Sequence, residues 1–203
     1  MTASEFINRI QKSNDDFSMA HSMMPWYRKL VKPSAQTLKK ANKAAVLVHV
    51  FQGQKDLEIL YMKRPAYEGT HGGQVSFPGG KRETVDADFE HTAIREAEEE
   101  VRLKSRMFQI VKNMSPLYIS PSNFLVYPFV SFAEQKHDLI LETKEVAYTF
   151  SVPLNMILTG ELVDSVKVPT KMGKMKVPAY VWEEEMIWGA TAIITARLAA
   201  LLS

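Results

Sequence analysis

Three carboxylates carry the first chemical signal in this chain. Glu96, Glu99 and Glu100 stand in the run Arg95-Glu96-Ala97-Glu98-Glu99-Glu100 at spacing i, i+3, i+4. On a helix turning about 100° per residue these positions share one face, while Ile94, Ala97 and Val101 fall where a core would take them. Crowded carboxylates repel one another unless a cation neutralises them. Oxygen-only donors suit a hard divalent ion, Mg²⁺ or Mn²⁺, better than zinc. Alone, such a helix is more often a solvated face; what precedes it changes the balance. Gly72-Gly73-Gln74-Val75-Ser76-Phe77-Pro78-Gly79-Gly80 reads as a short strand entering a tight glycine loop. The loop runs on through Lys81-Arg82-Glu83 to Asp86, expected as the helix N-cap. Strand, loop and acidic helix make a cradle for phosphate and metal. Glycines there let the backbone approach a ligand, and a carbonyl of Gly79 or Gly80 could complete a metal shell.

The stretch Gly80 to Leu103 resembles the Nudix box of the Nudix hydrolases, G-x5-E-x7-R-E-U-x-E-E-x-G-U with U a bulky aliphatic. Asp86 takes the first acidic position, one extra residue precedes Arg95, Ala97 fills the first U slot, and Arg102 stands where the last glycine is expected. A narrower resemblance, over roughly Ala44 to Leu202, is to the coenzyme A pyrophosphatase branch. It rests on His71-x-Gly73-Gln74-Val75-Ser76-Phe77-Pro78-Gly79-Gly80, Asp86, Thr92-Ala93-Ile94-Arg95-Glu96-Ala97, Leu60 to Arg64, Glu145-Val146, Pro153-Leu154 and Trp188-Gly189-Ala190-Thr191-Ala192. The branch has Arg-Ser-x-x-x-Arg before the histidine; here Arg64 is kept, Pro65 replaces the serine and Gly69 the second arginine.

The resemblance implies an α/β fold, the α/β/α Nudix sandwich with a mixed sheet, and a metal-dependent hydrolase that opens a pyrophosphate by attack of water on phosphorus. The branch implies coenzyme A or acyl-coenzyme A as substrate, giving 3′,5′-ADP and a 4′-phosphopantetheine product. Pro65 and Gly69 keep open another nucleoside diphosphate derivative, such as ADP-ribose or a dinucleotide. A non-catalytic nucleotide-binding module is the third reading. Degenerate modules lose box glutamates, whereas this chain keeps them.

Glu96, Glu99 and Glu100 are the expected metal ligands, with Glu96 and Glu100 the main pair. Arg95 is expected to hold a carboxylate or orient the helix by charge-assisted hydrogen bonds. The general base is open between a helix glutamate, Glu99 among them, and a later loop carrying Glu142 and Glu145; Glu145 matches the branch's Glu-Val. Arg64, His71, Gly79, Gly80 and Lys81 are expected to meet substrate, and Lys63 and Arg82 also flank the cleft. Tyr118, Phe124 and Tyr127 could stack on an adenine, though their strand context favours core packing.

The elements that must position these residues follow from patterning. The 203 residues allow one domain with a sizeable core, 46% of residues are hydrophobic, and the net charge is +2. No strong field points to nucleic acid or membrane; the partner that the resemblance implies is a small nucleotide-type molecule. The absence of cysteine excludes disulfides and thiolate chemistry. With no secretory pattern in Met1 to Asp16, the expected compartment is cytoplasmic. Residues 1–43 read as an N-terminal extension packing on the body and 44–203 as the catalytic domain. Helices are expected over Ser4 to Ile10, after Asp86, over Pro153 to Leu158 and over Met186 to Leu202. Ser22 to Lys32 is expected to pack on the body, and the stretch from Pro33 to Lys43 reads as merely polar. Strands are expected over Ala44 to Phe51, Leu57 to Lys63, Phe108 to Leu117, Phe124 to Phe132, Val146 to Val152, Val163 to Val168 and Lys176 to Trp182, the last two around a Lys171 to Lys174 turn. Met186 to Leu202 contains Arg197 and is interrupted by Gly189 and Thr191, so it reads as a core helix rather than a span. An apolar side left over on it would admit a homodimer contact.

Overall fold

Strand β1 (Asn42–Gln52) is the axis of the molecule. Its alternation divides the interior: Ala44, Val48 and Val50 point into one apolar layer, Ala45 and Leu47 into the other. The computed structural model describes residues 1–14, 22–24, 33–66, 72–120, 122–170 and 173–203.

The hairpin expected after β1 forms, with β2 (Leu57–Lys63) antiparallel through Val50↔Ile59 and Gln52↔Leu57. Strand β7 (Phe124–Ala133) lies parallel on the other side, from Asn42↔Phe124 to Phe51↔Ala133. That one parallel pairing makes the sheet mixed. Its order is β3 (Val75–Ser76), β2, β1, β7, β5 (Gln109–Asn113); β4 (Gly79–Lys81) adds to β1, β6 (Leu117–Ile119) to β7 and β8 (Tyr148–Pro153) to β2.

Helix α3 (Phe89–Val101) covers one face, with Ala93, Ala97 and Val101 against Ala45, Leu47, Met62 and Phe129. Helix α5 (Gly189–Leu202) covers the other, where Ile193 and Leu198 join Val48, Val130 and Phe77. Tyr61 ties this layer together. Its ring stacks on Phe77 and Phe150 at centroid separations of 5.0 and 5.6 Å, and its hydroxyl shares a 2.9 Å hydrogen bond with Thr195. The α/β/α sandwich expected from the resemblance is therefore the architecture found.

At the N-terminus α1 (Ala3–Lys12) opens with a capping box between Thr2 and Glu5. Phe6 and Ile10 enter the α5-side core, and the Arg9 guanidinium donates to the Leu202 carbonyl at 2.8 Å. Of the segment Ser22 to Lys32, Met23 is buried in the same core, and residues 25–32 lie outside the described set. A short helix α2 (Ala35–Lys40), capped by Ser34, occupies the stretch read as merely polar.

A separate three-stranded sheet joins β9 (Val163–Thr170), β10 (Gly173–Trp182) and β11 (Glu185–Trp188). Residues 171 and 172 of the expected turn lie outside the described set. Before this sheet, α4 (Leu154–Thr159) ends at Gly160 with φ 75°, as expected of a glycine C-cap.

Several boundaries moved. The last helix starts at Gly189, not Met186: Trp188 is extended and Gly189 takes φ 67°, so Met186 to Trp188 can complete β11. The strand expected over Phe108 to Leu117 splits into β5 and β6, because Pro116 has no N–H to continue a ladder. The strand expected from Val146 starts at Tyr148, since the Val146 N–H closes a turn onto the Glu142 carbonyl at 2.9 Å. Residues Thr191 to Leu198 are buried within the subunit, so α5 keeps no broad apolar side for a dimer. Among the described residues no helix is long and apolar enough to cross a membrane.

Candidate active site

The site begins with two glycines that no other residue could replace without movement. β4 pairs with β1 through Ala45↔Gly80 and Val46↔Gly79. Gly79 has φ 149°, and a Cβ there would stand 2.4 Å from the Ala45 carbonyl oxygen. A Cβ on Gly80 would stand 2.5 Å from the Glu96 carboxylate. The missing side chains let α3 lie directly on the loop, and the Gly79 N–H donates to Glu100 Oε2 at 2.8 Å.

Arg95 organises the acidic face. Its Nε and Nη2 form a fork on the two oxygens of Asp86, at 2.8 and 3.1 Å. Nη1 donates to Glu99 Oε2 at 2.8 Å, and Nη2 also reaches Glu96 Oε1 at 3.0 Å and the Lys81 carbonyl at 3.2 Å. One guanidinium thus joins the loop, the helix and three carboxylates.

Asp86 is not the helix N-cap. Asp88 caps α3, accepting from the His91 N–H at 2.8 Å, because its backbone is extended immediately before the first helical residue. Asp86 is instead buried, accepting from the Glu83 N–H at 2.8 Å and the Thr92 hydroxyl at 3.0 Å besides Arg95. Arg95 foremost, with these donors, holds its carboxyl well below the usual range, and the pairing raises the arginine's own pKa. At the far end of α3, Arg102 takes the left-handed conformation (φ 55°) of the glycine it replaces. Its N–H reaches the Glu98 carbonyl at 3.1 Å, and that of Leu103 reaches Ala97 at 3.2 Å.

The three glutamates share a helix face but not an environment. The Glu100 side chain is 2% exposed and the Glu99 side chain 57%. Burial pushes Glu100 up from its ordinary 4.5 to about 8, against the downward pull of the Gly79 N–H and Arg64; Glu96 and Glu145 add to the rise. Arg64 Nη2 lies 3.7 Å from Glu100 Oε1. Burial also raises Glu96, opposed by Arg95. The turn carrying Glu142 and Glu145 is fastened to the same place, since the Glu142 N–H donates to the Glu100 carbonyl at 2.9 Å. Glu145 is exposed, and its side chain makes no hydrogen bond among the described residues. Nearby, Ser76 carries the one buried side-chain polar atom without a hydrogen-bond partner among the described residues.

Among the described residues no three of His, Cys, Asp and Glu converge as a ready metal cage. A hard divalent ion nevertheless fits the donor set: Glu96 and Glu100 offer oxygens, they are half-buried and buried against a glycine loop, and both resist carrying charge there without a cation.

The fold brings together Arg64, Gly79, Gly80, Arg95, Glu96, Glu99 and Glu100, with Glu145 on the bordering turn. Lys81 has an exposed side chain and supplies its carbonyl to Arg95. His71 and Gly69 lie outside the described residues. Lys63 turns away to an ion pair with Glu185 at 2.6 Å, and Tyr148 donates to the same carboxylate. Arg82 binds the carbonyls of Asp86 and Ala87 and sits 5.0 Å from the Phe89 ring centroid. Tyr127 stacks on Phe89 at 3.7 Å, Phe124 packs against the α5-side core, and the Tyr118 hydroxyl donates to Asn123. All three aromatics have intramolecular partners, as their strand context suggested. Arg95 holds a carboxylate as expected, and the structure identifies its forked partner as Asp86; the Ser76 hydroxyl and the Glu185 pairings carry no signal in the sequence.

Residues 41–167 match the NUDIX domain. The chain is 35% identical over 156 residues to an uncharacterised Nudix hydrolase, NudL, of Photorhabdus laumondii, covering 77% of this chain and 82% of that protein. It is 34% identical over 169 residues to Nudix hydrolase 15, mitochondrial, of Arabidopsis thaliana; this covers 80% of the chain but 59% of the plant protein. A MutT/nudix family protein from Enterococcus faecalis shares the fold, with a TM-score of 0.53 at 12% identity over 98% of this chain and 73% of that one. The glycine loop, the arginine-held acidic helix and these likenesses agree: the chain belongs to the Nudix hydrolase family.

Proposed function

We propose that this chain hydrolyses the pyrophosphate bond of coenzyme A or acyl-coenzyme A, releasing 3′,5′-ADP and 4′-phosphopantetheine or its acyl form. The observation that carries the hydrolytic reading is the pinning of Glu96 and Glu100 against the Gly79-Gly80 backbone by Arg95 and the Gly79 N–H. Glu96 and Glu100, with Glu99 at the rim, are the residues that would hold Mg²⁺ or Mn²⁺; the ion would supply charge neutralisation and water activation.

The chain's own groups divide the remaining work. Arg64, beside Glu100, presents a guanidinium to phosphate oxygens. Arg95 is a positioning residue, its donors being taken up by carboxylates and one carbonyl. Glu145, exposed and unbonded on its turn, is our choice for the base that takes the proton from the attacking water. That water's oxygen joins one phosphorus while the bridging P–O bond breaks.

The coenzyme A assignment is supported by the run from His71 to Ala97 and by Glu145-Val146. Pro65 and Gly69 favour a second reading, in which ADP-ribose or a dinucleotide undergoes the same hydrolysis. Incubation with coenzyme A, ADP-ribose and dinucleotides plus Mg²⁺ or Mn²⁺, with products identified by mass, tests the choice. Preferential conversion of coenzyme A to 3′,5′-ADP is expected; similar turnover of several compounds would count against it.

A further inference from the structure

A cavity of about 210 Å³ opens on the α3 side of the sheet toward the end of β1. None of the residues placed in the active site lines it. Leu60 stands at this pocket and Arg64 at the active site; four residues of extended chain at ~3.3 Å each separate them by roughly 13 Å. Its wall is part apolar, with Phe51, Leu60 and Leu139, and part polar, with Thr149 and Ser151. At its side stands His49, 3% exposed and packed against the rings of Phe51 and Phe108.

His49 Nδ1 lies 2.9 Å from the Ser131 hydroxyl. Ser131 is buried and has no other hydrogen-bond partner for that hydroxyl among the described residues. The tautomer can be assigned from this pairing. If Nδ1 carried the proton, the serine O–H would be left buried without an acceptor. The hydroxyl therefore donates to Nδ1, and Nε2 carries the hydrogen. Nε2 has no partner of its own, yet among the described residues Ser76 Oγ is the sole fully enclosed orphan. Nε2 must then touch accessible space, and the space His49 lines is this pocket.

We propose that the pocket is a binding site for a small uncharged molecule bearing a carbonyl-type oxygen, which accepts a hydrogen bond from His49 Nε2–H. The volume, about 210 Å³, has room for a single-ring molecule, since about 150 Å³ holds benzene in an enclosed cavity. At the rim Lys136 and Asp138 offset each other in charge, so an uncharged ligand is favoured over an ion. Burial, with His137 close by, holds the His49 ring near a pKa of about 3, so it meets the ligand as a neutral donor. The segment that roofs the pocket, including Lys136 and Leu139, runs on to Glu142, whose N–H is tied to Glu100.

The test compares acetophenone with α-methylstyrene, its shape match without the oxygen, by chemical-shift titration of the full chain. Acetophenone is expected to bind roughly tenfold tighter, the margin of one buried hydrogen bond, and to shift the His49 ring resonances. His49→Phe should bring the two compounds to parity. Leu139→Trp, which fills the pocket, should abolish both. Equal binding to the wild-type chain, no binding at millimolar concentration, or acetophenone binding untouched by Leu139→Trp would overturn the proposal. The wild-type comparison and Leu139→Trp decide it even if His49→Phe does not fold.

Discussion

Asp86 and Arg95 meet in a two-pronged fork, at 2.8 and 3.1 Å, inside the bend that joins the glycine loop to its helix. The carboxylate is buried and the guanidinium 15% exposed. Asp86→Asn removes the charge and turns an amide N–H₂ toward an N–H donor. Loss of one partner from a buried pair costs about 3–5 kcal/mol, so urea denaturation should show a loss of that order, with turnover falling as Arg95 loses its anchor. A change within about 0.5 kcal/mol, the range of ordinary surface substitutions, would show that the fork does not secure the bend.

Glu100 makes metal-free stability depend on pH. Its folded pKa of about 8 lies above its ordinary 4.5. Between those values the folded chain keeps a proton that the unfolded chain has released, so stability falls as pH rises through the window and levels off above it. Glu100→Gln should flatten this slope while still accepting from the Gly79 N–H. Thermal melts of the two proteins from pH 5 to pH 9, with chelator present, would read the difference directly. Parallel curves would mean that Glu100 titrates normally.

The neighbouring glycines should respond differently. Gly79→Ala drives a Cβ into the fixed Ala45 carbonyl and strains a φ of 149°, so the melting temperature should drop sharply. Gly80→Ala meets instead the end of the Glu96 side chain, which can swing aside. That variant should fold and lose Mn²⁺ affinity, as measured by calorimetry. Equal loss of fold in both would contradict the distinction.

Among the acidic residues, the expected kinetic separation is between ligands and base. Glu99→Gln and Glu100→Gln should leave the chain folded and lower turnover by about two orders of magnitude or more. Glu145→Gln should lower kcat by about 10²–10⁴, the range for a general base, with KM little changed. Near-normal kcat in Glu145→Gln would return the role of base to the helix.

Much of this arrangement was legible because it is periodic or local. The spacing of Glu96, Glu99 and Glu100 placed them on one helix face, and Ala97 and Val101 were read as core and are buried. Asp86 was misread because capping chemistry is short-range: Asp86 and Asp88 both satisfy it, and what separates them is the distant Arg95. The inequality between Glu99 and Glu100 depends on where β4 lies, which helical spacing does not encode. The parallel register of β1 with β7 joins segments more than 80 residues apart, and no local pattern specifies it. Gly189 was noticed as an interruption of an apolar run, yet only its left-handed backbone shows that strand gives way to helix there.

Anomalous diffraction from crystals soaked in Mn²⁺ tests most directly whether the acidic helix and the glycine loop together bind a cation. A manganese peak is expected within coordination distance of Glu96 and Glu100, beside the backbone of Gly79 and Gly80, and it should disappear in Glu100→Gln. A catalytically active wild-type crystal with manganese bound only elsewhere, or a peak unchanged in Glu100→Gln, would contradict that expectation.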